Sequence, residues 1–191
     1  VALKKGDMET NFKIRSFDAD ISIEKYKSLR KNPLYIILDN LRSAFNVGSI
    51  FRLADTMRIE GVYLCGYTAC PPHKKLEKTS LGTIDYVPWK HFDSTAEAVR
   101  YAQEQGAEVW AAETTTRSEL YSNVPIPKKV ALVFGNEALG VSRKVLCQCD
   151  KIVEIPTFGY KNSLNVATAC SVIGYSVIER MGGFKIKEKY Q

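Results

Sequence analysis

A chain of 191 residues suits one domain with room for a sizeable core, and 45% hydrophobic with 25% charged residues is an ordinary globular balance. The formal charge of +6, with a pI near 9.0, tilts the expected partner toward a polyanion. Five scattered cysteines (Cys65, Cys70, Cys147, Cys149, Cys170) and only two histidines argue against a disulfide framework and against a metal site, and suit a cytoplasmic protein with reduced thiols.

The first ten residues, VALKKGDMET, lack the apolar stretch of a signal peptide. Residues 1–33 read as a basic N-terminal extension with one helix around 21–31, ended by Pro33; a solvated tail and an RNA-touching arm fit it equally. Leu34–Leu38 is a short apolar run with the length of a buried strand. After it, Asn46 stands at a helix N-cap position, and Val47, Ile50, Phe51 and Ala54 follow at i, i+3, i+4 and i+7 as a core-facing stripe. Gly48, Arg52 and Asp55 fall on another face. Arg52 there is an ordinary surface residue or, together with Asn46, a pocket residue beside a strand end. Gly61 ends the helix and Val62–Cys65 is the next strand.

Residues 68–82 form a loop with turn-forming prolines that carries Lys74, Lys75 and Lys78. Such a charge run is a solvated face and, in a basic protein, also a candidate phosphate contact, because lysine neutralises phosphate and releases counterions. Ile84–Val87 reads as a short strand leading to Trp89. Ser94 or Thr95 caps a helix through Gln105 that Gly106 stops; Glu108–Ala112 is a strand and 114–129 is irregular. Val130–Phe134 is a buried strand that opens into GNEALG (135–140), and 141–148 make a short helix. Residues 152–156 (IVEIP) are a further strand, opening into 157–169, and a last helix spans 163–180. Between Leu164 and Ile178 this helix carries no charge on any side, so more than one face must be buried. One face meets its own sheet; the other meets a second copy of the chain or lies inside a single domain. The uncharged run 162–178 is broken by Asn, Ser, Thr and Gly, so it is a poor membrane span. The alternation of strands and helices predicts an α/β domain over 34–181 with a mostly parallel sheet flanked by helices, followed by a short basic tail, 182–191. Lys185, Lys187 and Lys189 in that tail are candidate phosphate contacts.

Two strands that each open into a glycine- and asparagine-containing loop make a strand-end pocket, the usual ligand crevice of an α/β sheet. GNEALG is not a Walker loop, which ends in GK[ST], and no GxGxxG follows a strand. Glu137 inside the loop would repel a phosphate and suits a ligand carrying positive charge; an internal hydrogen bond or salt bridge is the alternative. Ser163 and Asn165 offer polar groups among small residues. Helix statistics favour Ser163 as an N-cap and Asn165 as a first-turn residue.

Three segments taken together resemble the SpoU/TrmH family of SPOUT methyltransferases. They are N-x-G-x-x-x-R (Asn46, Gly48, Arg52), a strand with G-x-E-x-x-G (Gly135, Glu137, Gly140), and I-P…S-L-N-V-A (Ile155, Pro156, Ser163, Leu164, Asn165, Val166, Ala167). The resemblance implies a C-terminal deep trefoil knot, one of the rare exceptions to unknotted chains, and a homodimer built partly on the last helix. It implies S-adenosylmethionine as cofactor, bound by Gly135, Asn136, Glu137, Gly140, Ile155, Pro156, Ser163, Leu164 and Asn165. The implied reaction is methylation of a ribose 2′-hydroxyl in structured RNA, tRNA or rRNA, with Arg52, Asn46 and Asn165 at the catalytic centre and Lys74, Lys75 and Lys78 on the RNA. A guanidinium is effectively always protonated, so Arg52 acts as a base only if strongly perturbed and otherwise orients phosphate and ribose. A catalytically silent RNA-binding dimer and a base-methylating relative are the competing functions.

Overall fold

The computed structural model describes residue 18 and residues 20–183, so most of the basic N-terminal extension and the tail lysines 185, 187 and 189 lie outside the described residues. In chain order the first half comprises α1 (Ile23–Ser28), β1 (Asn32–Asp39), α2 (Ala44–Thr56), β2 (Ile59–Cys65), α3 (Lys74–Ser80), a 3-10 turn (Thr83–Asp85) and β3 (Trp89–Phe92). The second half comprises α4 (Thr95–Glu104), β4 (Glu108–Ala112), β5 (Glu119–Leu120), β6 (Val130–Phe134), α5 (Arg143–Leu146), β7 (Lys151–Glu154) and α6 (Val166–Arg180).

The seven strands form one sheet in the order β3-β2-β1-β6-β4-β7-β5, with every neighbouring pair parallel. A parallel sheet needs helices on both faces, and β6 shows it: all five residues of VALVF are buried. Alternate residues go to opposite sides. Leu34, Ile36, Leu38, Val130, Leu132 and Phe134 join one core with α2, Leu76 of α3, and α6. Ile37, Ala131 and Val133 join a second core with Ala98, Val99 and Ala102 of α4 and Val145 of α5. The chain runs outward through β1, β2 and β3, then crosses back to β4, with β6 inserted between β1 and β4. That reversal opens a crevice at the carboxyl ends of the central strands.

Several predicted boundaries move, each for a local reason. The helix around 21–31 is the shorter α1, capped by Ser22. Ser43, not Asn46, caps α2, its hydroxyl accepting from the Asn46 N–H at 3.3 Å. Gly61 does not end α2. The helix closes at Thr56, Arg58 takes the left-handed turn (φ 45°), and Gly61 lies inside β2, where a Cβ would sit 3.2 Å from the Pro88 carbonyl. The lysine loop contains α3, capped by His73, whose ring nitrogen accepts from the Leu76 N–H. The predicted strand 84–87 is the 3-10 turn, with β3 beginning at Trp89. The irregular stretch 114–129 holds the two-residue edge strand β5. All five cysteines are free thiols, and among the described residues no helix is long and apolar enough to cross a membrane.

Candidate functional site

At the carboxyl ends of β6, β4 and β7, against the start of α6, lies a cleft of about 780 Å³. Gly135, Asn136, Glu137, Gly140, Ile155, Ser163, Leu164 and Asn165 all line it; Pro156 does not, although its neighbours Ile155 and Thr157 do. Glu113, Thr114, Thr115 and Glu154 complete the wall on the β4 and β7 side. Sequence reading passed over these four, although Glu113 and Glu154 stand at or just beyond strand ends, the positions that face such a crevice. Among the described residues the lining includes Glu113, Glu137 and Glu154 and no lysine, arginine or histidine. In a chain of net charge +6 the cleft is a local inversion of sign.

The loop after β6 needs its glycines. A Cβ on Gly135 would lie 2.2 Å from the Gly140 carbonyl carbon, because the loop closes on itself through paired Asn136 and Gly140 backbone bonds of 2.8 and 3.2 Å. Gly140 has φ 66°, and a Cβ there would meet the Glu113 carboxylate at 2.3 Å. That carboxylate accepts from the Val141 N–H at 2.9 Å. Asn136, 6% exposed, holds the loop from within. Its Oδ1 accepts from the Ala138 and Leu139 N–H groups, and its Nδ2 donates to the Asn40 carbonyl and to the Tyr67 hydroxyl, both at 2.7 Å.

Three distant segments are tied together at the mouth of the cleft. Glu137 Oε2 accepts from the Arg42 N–H at 2.8 Å, and Oε1 accepts from the Ser43 N–H at 3.1 Å and from Asn46 Nδ2 at 2.8 Å. Asn46 Oδ1 in turn accepts from Asn165 Nδ2 at 3.2 Å. Asn165 Oδ1 accepts from the Ala167 and Thr168 N–H groups, so Asn165 rather than Ser163 is the N-cap of α6. The internal role is the one Glu137 takes. It meets the free N–H groups at the start of α2, where a carboxylate is favoured. Desolvation pushes its carboxyl up, but the bonds from the Arg42 N–H, the Asn46 amide and the Ser43 N–H together hold it below its ordinary range. Asn46 has both ends of its amide engaged.

Arg52 does not line the cleft. It is exposed on α2, six residues beyond Asn46, and among the described residues it has no hydrogen-bond or ion-pair partner. One turn before it, Gly48 lets α2 approach α3 so closely that a Cβ would lie 1.9 Å from Thr79 Oγ1. Lys74, Lys75 and Lys78 are exposed on α3, outside the cleft. The acidic cleft and the cationic helices are therefore separate parts of the same molecule.

A family model, the SpoU rRNA Methylase family, matches residues 33–175. A Staphylococcus haemolyticus protein assigned to the TrmH family of tRNA/rRNA methyltransferases is 31% identical over 163 residues, which are 85% of this chain and 65% of that protein. The chain thus spans just under two thirds of the length of the curated relatives it matches. Among solved structures it is similar to an AdoMet-bound rRNA methyltransferase from Sinorhizobium meliloti, with a TM-score of 0.74, 25% identity, and coverage of 80% of this chain and 58% of that one. It is also similar to a structure concerned with the 2-OH methylation of C/U34 on tRNA, with a TM-score of 0.69, 26% identity, and coverage of 78% and 97%.

Proposed function

The chain belongs to the SpoU methylase family, and from that premise we propose that it is an S-adenosylmethionine-dependent RNA methyltransferase acting on a ribose 2′-hydroxyl of tRNA or rRNA. One observation carries the reading. Asn46, Glu137 and Asn165, up to 119 residues apart in sequence, join by hydrogen bonds at one cleft, and Glu137 and Asn165 line it.

The residues present fit the cofactor. A cleft of about 780 Å³ is within the usual range for a ligand of that size. A wall with three carboxylates and no cationic side chain suits a molecule whose sulfonium and amine are both positive. The loop 135–140, Ile155, Ser163 and Leu164 would hold it, largely through backbone groups. Bound there, S-adenosylmethionine supplies an electrophilic methyl group.

The chain's own part is orientation. A ribose hydroxyl is a poor nucleophile at neutral pH and must lose its proton as it attacks. Arg52, exposed and uncommitted to the cleft, is available to phosphate and ribose oxygens through its guanidinium donors. Asn46 is a positioning residue, since both ends of its amide are bonded within the protein. Glu137 fixes the start of α2 and so the helix that carries Arg52. Lys74, Lys75 and Lys78 supply phosphate contacts.

The family reading also carries a trefoil knot, supported by the return of α6 from beyond β7 to pack on α2 and β1; an experimental tracing through residues 134–166 tests it. A homodimer through α6 belongs to the same proposal. The five free thiols fit a reducing cytoplasm, which cell fractionation checks.

The deciding experiment follows labelled methyl from S-adenosylmethionine into separate unmodified tRNA and rRNA pools, with Arg52→Ala alongside. Label in an alkali-resistant dinucleotide, absent with the variant while its cofactor affinity is kept, is the expected result. Label in an alkali-labile linkage transfers the reading to a base. Absence of cofactor binding by the wild type sinks the enzyme, and loss of cofactor binding by Arg52→Ala sinks the role given to that residue.

A further inference from the structure

The turn after β2 presents an aromatic ring that nothing in the described chain covers. Tyr67 is 62% exposed, and among the described residues no ring or cation stacks on it. Yet it is firmly held. Its hydroxyl accepts from Asn136 Nδ2 at 2.7 Å, and its backbone N–H donates to Asn40 Oδ1 at 3.3 Å.

The turn beneath it is pinned on both sides. The Gly66 N–H donates to the Phe92 carbonyl at 3.0 Å, and His91 Nε2 lies 3.0 Å from the Gly66 carbonyl. Thr68, 2% exposed, donates its hydroxyl to the Leu38 carbonyl and accepts from the Leu41 N–H. Gly66 itself has φ 58°, and a Cβ there would come 2.1 Å from Asn40 Oδ1, so a larger residue would displace the side chain that holds the Tyr67 N–H. A tyrosine anchored at its hydroxyl has little rotamer freedom left to lose when a flat partner settles on its face.

We propose that Tyr67 is a base-stacking subsite, taking a nucleobase splayed out of the RNA beside the ribose presented to the cleft. The inference rests on the RNA methyltransferase reading above. Tyr67 does not line the cleft, so its open face lies outside the space assigned to the cofactor. Exposed Arg42 lies two positions after Asn40, which accepts from the Tyr67 N–H and, through its carbonyl, from Asn136 Nδ2, and a cation beside an aromatic platform is how single-stranded nucleic acid is held. Splayed bases stacked on aromatic rings are likewise the usual means of reading RNA loops. Through its hydroxyl the ring shares Asn136 with the backbone of residues 138 and 139, so a base seated on Tyr67 bears on a wall of the cleft.

The test measures RNA affinity and cofactor affinity separately for Tyr67→Phe, Tyr67→Trp and Tyr67→Leu, using unmodified tRNA and rRNA for the first and S-adenosylmethionine alone, by calorimetry, for the second. The leucine variant is expected to bind RNA about tenfold more weakly. The phenylalanine and tryptophan variants stay within about twofold of the wild type, and the leucine variant binds the cofactor as tightly as the phenylalanine variant, which lacks the same hydroxyl. Leucine matching the wild type overturns the proposal. So does phenylalanine falling with leucine, which would move the role to the hydroxyl and Asn136, and so does tryptophan failing to rescue. A wild type that methylates RNA with an unaffected leucine variant removes the stacking subsite alone; a wild type that binds neither RNA removes it together with the RNA reading.

Discussion

Glu137 commits both carboxylate oxygens to the start of α2, and two of its three donors are backbone N–H groups that no helical carbonyl can reach. Glu137→Gln keeps the size but turns one acceptor oxygen into a donor that faces other donors. We expect a loss of about 1–2 kcal/mol in urea unfolding at pH 7. The pH dependence follows from the direction of the shift. The folded carboxyl lies below its ordinary value of 4.5, so its contribution is full above the unfolded-state value and is lost as pH falls through the folded one. The gap between wild type and Glu137→Gln should therefore hold above that ordinary value and narrow as the pH is taken below it. A gap with no dependence on pH anywhere on the acid side would mean that the charge of Glu137 is not what stabilises α2. The sequence offered the internal bond only as an alternative, because its partners lie 91 to 95 positions away and no local pattern records them.

Gly48 sets the spacing of α2 and α3. A methyl group there would meet Thr79 Oγ1 at 1.9 Å, Thr79 Cβ at 2.7 Å and the Ser80 backbone nitrogen at 3.0 Å. A rotamer change relieves the first contact and neither of the others, so Gly48→Ala must push the helices apart. Overpacking of this kind costs about 1–3 kcal/mol, which in a domain of this size lowers Tm by roughly 2–4 °C per kcal/mol. Because α3 carries the three lysines, RNA affinity should fall with it while cofactor affinity holds. An unchanged Tm would show that α3 yields freely. The same pair of helices shows what the sequence could and could not disclose. The α2 stripe of Val47, Ile50, Phe51 and Ala54 was readable because all four side chains enter one core. In α3 only Leu76 and Ser80 are buried, too few to print a period, and the cap is a histidine, a weak sequence signal for a helix start. Gly61 misled for the opposite reason: it punctuates nothing and lies inside β2, where an added Cβ would press on the Pro88 carbonyl oxygen at 3.2 Å.

The molecule divides its charge, with carboxylates in the cleft and lysines on α3, so changes to one half should leave the other's ligand untouched. Replacing Lys74, Lys75 and Lys78 together by alanine is expected to weaken RNA binding and to flatten its salt dependence by about one counterion per lost contact, with cofactor affinity constant. An unchanged slope would move the RNA track off α3. The third region is neutral. α6 packs Cys170, Ile173, Val177 and Ile178 into the core, where the sequence expected one face against the sheet. Thr168, Val172 and Tyr175 follow at helical spacing on another side, with Tyr175 37% exposed, and Phe45 on α2 is 52% exposed. An uncharged stripe of this width on an otherwise basic chain is the surface a second copy would cover. The wild-type chain should then sediment at twice its 21.5 kDa mass. Val172→Glu, which places a charge on that stripe without entering the core, should sediment at the single mass with an unchanged circular dichroism spectrum. A wild type that stays at the single mass at micromolar concentration would reject the dimer. It would leave the exposed face of α6 to the RNA.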